Sequence, residues 1–144
     1  MKDQRYQEYR FSCKRRRMRV GDIVQLLATT YWAKGCSRKE LQKRIRHSLP
    51  YGIFDAGGKQ VGFARVITDF SSTFYLADVV VREDLRGVGL GRAFMTYVLG
   101  DPGFCNTKGI LLTRTAFGFY QHFDFLLCED RCMLREYDKI KESV

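Results

Sequence analysis

The residue types best suited to grip a phosphate lie between Val79 and Met95. Gly87, Gly89 and Gly91 alternate with Val88 and Leu90, after the apolar run Val79-Val80-Val81 and ahead of a helical pattern. Glycine has no Cβ, so successive backbone N–H groups can converge, and a helix start adds partial positive charge. Arg86 and Arg92 bracket the glycines with full charges. Spacing separates the possible cradles. A dinucleotide fingerprint, G-x-G-x-x-G, would need glycine where Arg92 or Phe94 stands, and a P-loop would need a lysine after the last glycine, where there is none. A tight strand-to-helix connection with glycine for steric reasons alone is the plain alternative.

Two further groups could move protons. Asp78 sits on the strand leading into the glycines, in the run Leu76-Ala77-Asp78-Val79-Val80. Apolar neighbours imply burial, and burial favours the protonated carboxyl, so Asp78 could act as a base directly or through water. A hydrogen-bonded structural carboxylate, or one that holds an ammonium without taking its proton, fits equally well. Glu83 and Asp84 read as solvent-facing loop charges, and His122 as an exposed or packing histidine. The five cysteines show no C-x-x-C pair and only His47 and His122 accompany them, so a zinc framework is not expected. Reduced thiols in a cytoplasmic compartment are the direct reading.

The elements that must position these groups follow from periodicity. Residues 1–10 are polar and read as a mobile lead-in, with Tyr9 to Cys13 as a first strand. Val20, Ile23, Val24, Leu27 and Tyr31 mark a first helix. Ser37-Arg38-Lys39-Glu40 is a capping box opening a second helix with Leu41, Ile45 and Leu49 as its apolar stripe, ended by Pro50. Tyr51 to Phe54 and Gln60 to Thr68 form a hairpin around Asp55 to Lys59, and a turn at Asp69 to Ser72 leads into the strand Thr73 to Val81. Leu90, Ala93, Phe94, Tyr97 and Val98 give the helix after the glycines one apolar face, ended at Asp101-Pro102-Gly103. A buried strand over Gly109 to Thr113, a short helix over Ala116 to Phe123, and strands at Phe125 to Cys128 and Arg131 to Arg135 complete the chain. The residues from Asp138 to Val144 are polar enough to fray.

Two motifs in this order resemble the GNAT superfamily of N-acetyltransferases. Arg86-x-x-Gly89-x-Gly91 is similar to the family's acetyl-CoA loop, R/Q-x-x-G-x-G/A. Ala116-Phe117-Gly118-Phe119-Tyr120-Gln121-His122-Phe123-Asp124-Phe125 resembles its A-x-x-x-Y-x-x-x-G-F segment, with Asp124 where the family usually has glycine. That position follows the helix in a left-handed conformation, which aspartate tolerates at some cost. The likeness covers most of residues 20–135. It implies an α+β, three-layer fold, a mostly antiparallel mixed sheet of about six to seven strands flanked by about four helices, as one domain over residues 1–144.

The resemblance further implies acetyl transfer from acetyl-CoA to a primary amine by direct attack. Amides of Gly87, Val88, Gly89, Leu90 and Gly91, with Arg86 and Arg92, would hold the diphosphate. A backbone N–H among Val79, Val80 and Val81 would meet the thioester oxygen as charge develops. Tyr120 would protonate the departing thiolate, a phenol being a workable acid for it. An aromatic core residue is the plain alternative for Tyr120. The acceptor, a small-molecule or peptide amine, would contact Tyr31, Trp32 and Lys34 at the joint between the first two helices, and Phe74. Those helices serve equally well as core-packing elements.

Composition bounds the remaining classes. The chain has 144 residues, 45% of them hydrophobic and 28% charged, as in an ordinary soluble domain. Its net charge of +9 favours acidic partners. No stretch approaches the length of a membrane span, so no membrane association is expected. The basic run Lys14 to Arg19 lacks interleaved aromatics and reads as a solvated loop more than a nucleic-acid surface. A monomer or homodimer is expected. A non-catalytic acyl-CoA-binding sensor or interaction module is the second functional reading, and a basic nucleic-acid-binding domain the third.

Overall fold

The computed structural model describes residues 1–135, and the expected fraying from Asp138 to Val144 lies outside them. The chain divides into two compact units, Met1–Thr113 and Arg114–Val144. The first is built on a six-stranded sheet in the order β1-β2-β3-β4-β5-β6, formed by Gln4–Tyr6, Tyr9–Ser12, Leu49–Phe54, Gln60–Thr68, Thr73–Val81 and Lys108–Ile110. Every neighbouring pair is antiparallel except β5 with β6, which is parallel over Thr73–Tyr75 and Lys108–Ile110. Three helices accompany it: α1 (Val20–Ala28), α2 (Arg38–Arg46) and α3 (Leu90–Leu99). The second unit holds α4, Phe117–Gln121. This is the mixed, mostly antiparallel α+β architecture with four helices that the resemblance implies.

Register assigns each helix to a face. Phe63 lies opposite Gly52, and Ala64 lies opposite Tyr51; adjacent residues of a strand point to opposite faces, so Phe63 and Tyr51 do too. Phe63 and Val80 pack with Ile23, Leu26, Leu27, Leu41 and Ile45, which places α1 and α2 on their face. Tyr51 meets Tyr97 of α3, and Phe11 meets both Phe94 and Tyr97, at ring separations of 5.4 to 6.3 Å. The sheet thus has an aliphatic core under α1 and α2 and an aromatic core under α3. Tyr51 also donates to Asp101 Oδ2 at 2.7 Å, tying β3 to the turn that ends α3.

Local chemistry sets the boundaries. The capping box of α2 is complete: Ser37 Oγ accepts from Glu40 N–H, and Glu40 Oε2 accepts from Ser37 N–H. Helix α1 ends at Ala28, short of the expected Tyr31, because Thr29 and Thr30 hydroxyls donate to the carbonyls of Leu26 and Leu27, each at 2.7 Å. Leu49 and Pro50, expected on or after α2, belong to β3. Strand β2 reaches only to Gly52, and proline is tolerated where a strand edge has no partner.

The polar lead-in is ordered, contrary to the sequence expectation. Gln4 to Tyr6 pairs with Tyr9 to Phe11 around a turn with Gln7 at φ +52°. Asp3 accepts from Ser12 Oγ at 2.8 Å and meets Lys14 and Arg17, while Tyr97 Oη donates to the Lys2 carbonyl at 3.1 Å. The basic run is likewise structural. Arg15 donates to the carbonyls of Ile45 and Ser48, where the α2 C-terminus is partially negative.

The strands expected at Phe125 to Cys128 and Arg131 to Arg135 do not form among the described residues. Neither stretch alternates apolar with polar residues cleanly, and Leu126, Leu127, Met133 and Leu134 are all exposed. No helix among the described residues is long and apolar enough to cross a membrane.

Candidate active site

The site begins with an irregularity in β5. Between the pairs Phe63 with Val80 and Arg65 with Ala77, β4 advances two residues and β5 advances three. The extra residue is a β-bulge, and within it Asp78 takes φ +54°. Left-handed backbone at a residue with a Cβ costs about 1–2 kcal/mol. The surroundings oppose that cost. Asp78 is 8% exposed, and its Oδ2 is ion-paired to Arg65 Nε and lies 3.6 Å from Arg44 Nη1 of α2. Breaking a buried pair by removing one partner costs about 3–5 kcal/mol, more than the strain, so the bulge is held. Asp78 is as buried as its apolar neighbours imply, but its Oδ2 is committed to two guanidiniums.

The bulge is followed by an open edge. Arg82 N–H donates to the Val61 carbonyl at 2.8 Å, so Arg82 faces β4. By alternation Val81 faces away from β4, which the bond from Arg86 Nε to the Val81 carbonyl at 2.9 Å bears out. Val79 shares that side, and Val80 points its backbone toward β4. β6 pairs with β5 only as far as Tyr75, so among the described residues the edge at Val79 and Val81 has no strand partner.

The glycines come next. A 3₁₀ turn over Glu83–Leu85 lifts the chain off the sheet, and Gly87 and Gly89 adopt φ +80° and +88°. Gly89 is the N-cap of α3, whose ladder opens with Ala93 N–H donating to the Gly89 carbonyl at 3.0 Å. The amides of Leu90 and Gly91 therefore precede the ladder and have no intrahelical acceptor. A Cβ at Gly87 would meet nothing within 4 Å, and one at Gly89 would sit 3.4 Å from Tyr6 Oη, an ordinary contact. Packing demands glycine at neither position; the left-handed backbone does. Val88 is 67% exposed, whereas Leu90 is buried and anchors α3. Arg92 lies exposed in the first turn. The loop thus combines two left-handed glycines, a helix start and cationic side chains, a set that suits an anion.

Tyr6 is a site neighbour that sequence reasoning missed. Its ring stacks on Phe11 at 6.0 Å and its hydroxyl reaches Gly89. Spacing does not mark it, because Tyr6 stands three residues from Tyr9 and only Tyr9 and Phe11 alternate.

The acceptor-side candidates divide. Tyr31 and Trp32 are about half exposed and form an edge-to-face pair at 5.0 Å in the joint between α1 and α2, beside exposed Lys34. Phe74, expected with them, is 5% exposed and packs on Phe104 at 4.8 Å in the aromatic core of the opposite face. Register explains this: Phe74 pairs with Thr68, on the Tyr51 side of the sheet, and the bulge changes the facing only later.

In the second unit, Tyr120 lies half-buried on α4. Its N–H donates to the Ala116 carbonyl at 3.1 Å, which is the one-turn spacing of the motif. Asp124 has φ +64°, its N–H donates to Gln121 and the Phe125 N–H to Tyr120. That is a Schellman end with aspartate in the left-handed place, as the motif led one to expect.

These features define a GNAT-type fold, and comparison with known proteins agrees. Residues 50–126 match the family model described as the acetyltransferase (GNAT) domain, and the chain belongs to that family. A Xanthomonas campestris crystal structure assigned to the GNAT family superposes with a TM-score of 0.83 at 33% identity, covering 90% of this chain and 93% of that one. Glucosamine-6-phosphate N-acetyltransferase from Arabidopsis thaliana, at 15% identity, shares the fold with a TM-score of 0.66, covering 91% and 99%. An uncharacterized N-acetyltransferase, ycf52, of Gracilaria tenuistipitata var. liui is 31% identical over 72 residues. That match takes in 49% of this chain, which spans 40% of the length of that relative.

Proposed function

We propose that this chain transfers an acetyl group from acetyl-CoA to a primary amine by direct attack. The observation that carries the reading is the bulged β5 running into two left-handed glycines at the start of α3. Acetyl-CoA supplies the acyl group as a thioester, and the amine's attack makes the amide while CoA leaves as a thiol. Amides from Gly87 to Gly91 hold the diphosphate, with Arg86 and Arg92 adding charge. The Val79 N–H, on the unpaired edge, donates to the oxygen where negative charge develops; one such donor is worth about 10²–10³ in kcat. Val81 carries the loop: its carbonyl, held by Arg86, fixes the first residues of the cradle. Val80 anchors this stretch of strand in the core.

Tyr120 takes the role the second motif implies, giving its hydroxyl proton to the leaving sulfur and regaining, through solvent, the proton that the acylated nitrogen loses. Asp78 works as a positioning residue: through Arg65 it holds the bulge that turns Val79 outward. The amine arrives as an ammonium and loses its proton to water before attack. Tyr31, Trp32 and Lys34 supply the acceptor's entrance, consistent with half-exposed aromatics beside the α1–α2 joint.

The test is thiol release from acetyl-CoA with a panel of primary amines, on the wild type and Tyr120→Phe. General-acid loss predicts a fall of about 10²–10⁴ in kcat on every accepted amine. Equal rates would remove Tyr120 from the chemistry, and no release with any amine that binds would favour an acyl-CoA-binding sensor.

A further inference from the structure

We propose that the acceptor amine also carries an anionic group, a carboxylate or a phosphate, which Arg44 receives; this rests on the acetyltransferase reading above. The observation is a charge imbalance beside the bulge. Arg65 and Arg44 both converge on Asp78 Oδ2, two guanidiniums on one carboxylate. The two are unequal. The Arg65 side chain is 13% exposed and makes the close contact, whereas that of Arg44 is 35% exposed and stands 3.6 Å away. Arg65 holds Asp78 the more closely, which leaves the more exposed Arg44 guanidinium to meet a second anion. A guanidinium has five N–H donors in a fixed fork that matches carboxylate and phosphate oxygens.

Local sequence reinforces the imbalance. Helix α2 reads Arg38-Lys39-Glu40-Leu41-Gln42-Lys43-Arg44-Ile45-Arg46, with Glu40 its one acid. Glu40 Oε2 already accepts from both the N–H and the hydroxyl of Ser37. A partly desolvated cation is stabilised most by an anion that can form charge-assisted hydrogen bonds with it.

Placement ties the cluster to the reaction. Asp78 precedes Val79, the proposed oxyanion donor, so Arg44 lies one ion pair from the strand position where the acyl carbon is held. The cluster faces α1 and α2, the side where the α1–α2 joint presents Tyr31 and Trp32. Cys36, also of that joint, lies close enough for Arg44, Asp78 and Arg65 to act on its thiol, although burial is the stronger influence and raises its pKa. An amine whose anion rests on Arg44 would direct its nitrogen toward Val79.

Matched pairs of acceptors test this: amino acids against their carboxamides, and amino-sugar phosphates against the sugars, on the wild type and Arg44→Gln. CoA is first titrated into both proteins by calorimetry. Failure of CoA to bind the wild type would overturn the acetyltransferase reading and this proposal with it. Equal CoA affinity in both proteins shows that Arg44→Gln is folded and the cofactor site intact. Each amine is then titrated into the CoA-saturated protein and assayed for turnover. The expected result is a preference of roughly tenfold or more for at least one anionic partner, in Kd and in kcat/KM, that Arg44→Gln abolishes by raising KM. The carboxylate and phosphate pairs distinguish the source of the anion. No preference in the wild type, or one that survives in Arg44→Gln, would overturn the proposal while leaving the acetyltransferase reading in place.

Discussion

Asp78 carries most of the physical tension in the site. A carboxylate in apolar surroundings suggests a base, and that much is visible in the run from Leu76 to Val80. Its commitment to Arg65 and Arg44 is not visible, because both arrive from other elements and neither spacing nor periodicity links them to position 78. The two roles separate by substitution. Asn tolerates the left-handed backbone and can still accept from Arg65, but it cannot take a proton. Asp78→Asn is therefore expected to keep kcat within roughly tenfold of wild type with an unchanged pH profile. A base would lose about 10²–10⁴. Asp78→Ala leaves Arg65 without its partner and is expected to lower the melting temperature as well as kcat, checked by calorimetric melting beside the rate assay. Tyr120 stands differently: its identity and its spacing from Ala116 are written in the sequence, and the backbone bond between them makes that spacing real.

Among the elements, those with self-contained signals were legible. Strand β5 spans the predicted Thr73–Val81, the α2 capping box forms, and α3 begins at Leu90, with the last glycine in its first turn. The N-terminal hairpin was hidden because its turn, Gln7-Glu8, lacks the Asn-Gly or Asp-Gly chemistry that announces a two-residue connection. The bulge was hidden because an extra residue in one strand shows only against its partner. Phe74, placed on the acceptor side by the resemblance, lies on the opposite face against Phe104. The glycine loop offers a direct check on element geometry. In Gly89→Ala the added Cβ meets no hard contact, so the cost is backbone strain of about 1–2 kcal/mol. The expected outcome is CoA affinity reduced roughly tenfold with little change in kcat at saturation. Undiminished affinity in that variant, measured by titration, would mean that the left-handed conformation is not needed to present the amides.

For the whole molecule, stability depends on polar staples as well as on two cores. Asp69 closes the turn between β4 and β5, accepting from the Ser72 hydroxyl at 2.5 Å and from the amides of Ser71, Ser72 and Thr73. Those bonds, the Ser72 hydroxyl first, hold its carboxyl well below the usual carboxylate range. A depressed folded-state pKa adds stability that is complete above the unfolded value, about 3.9, and is lost as pH falls toward the folded one. Asp69→Ala should therefore melt lower than wild type at pH 7, and the gap should narrow as the pH is taken well below 3.9. A gap independent of pH in calorimetric melts would assign the loss to turn geometry alone. Several of the cations behind the net charge of +9 are structural. Arg15 staples the end of α2, Lys14 and Arg17 meet Asp3, and two of the remaining cations converge at Asp78.

The central claim is that main-chain amides at the start of α3 hold a diphosphate. Calorimetric titration of CoA, of pantetheine 4′-phosphate and of pantetheine, which share the thiol arm and lose first the nucleotide and then the last phosphate, tests it most directly. One-site binding of CoA is expected, with an affinity for pantetheine lower by roughly 10² or more, as the loss of several charge-assisted hydrogen bonds requires. Equal affinities for CoA and pantetheine, or no binding of CoA, would contradict it.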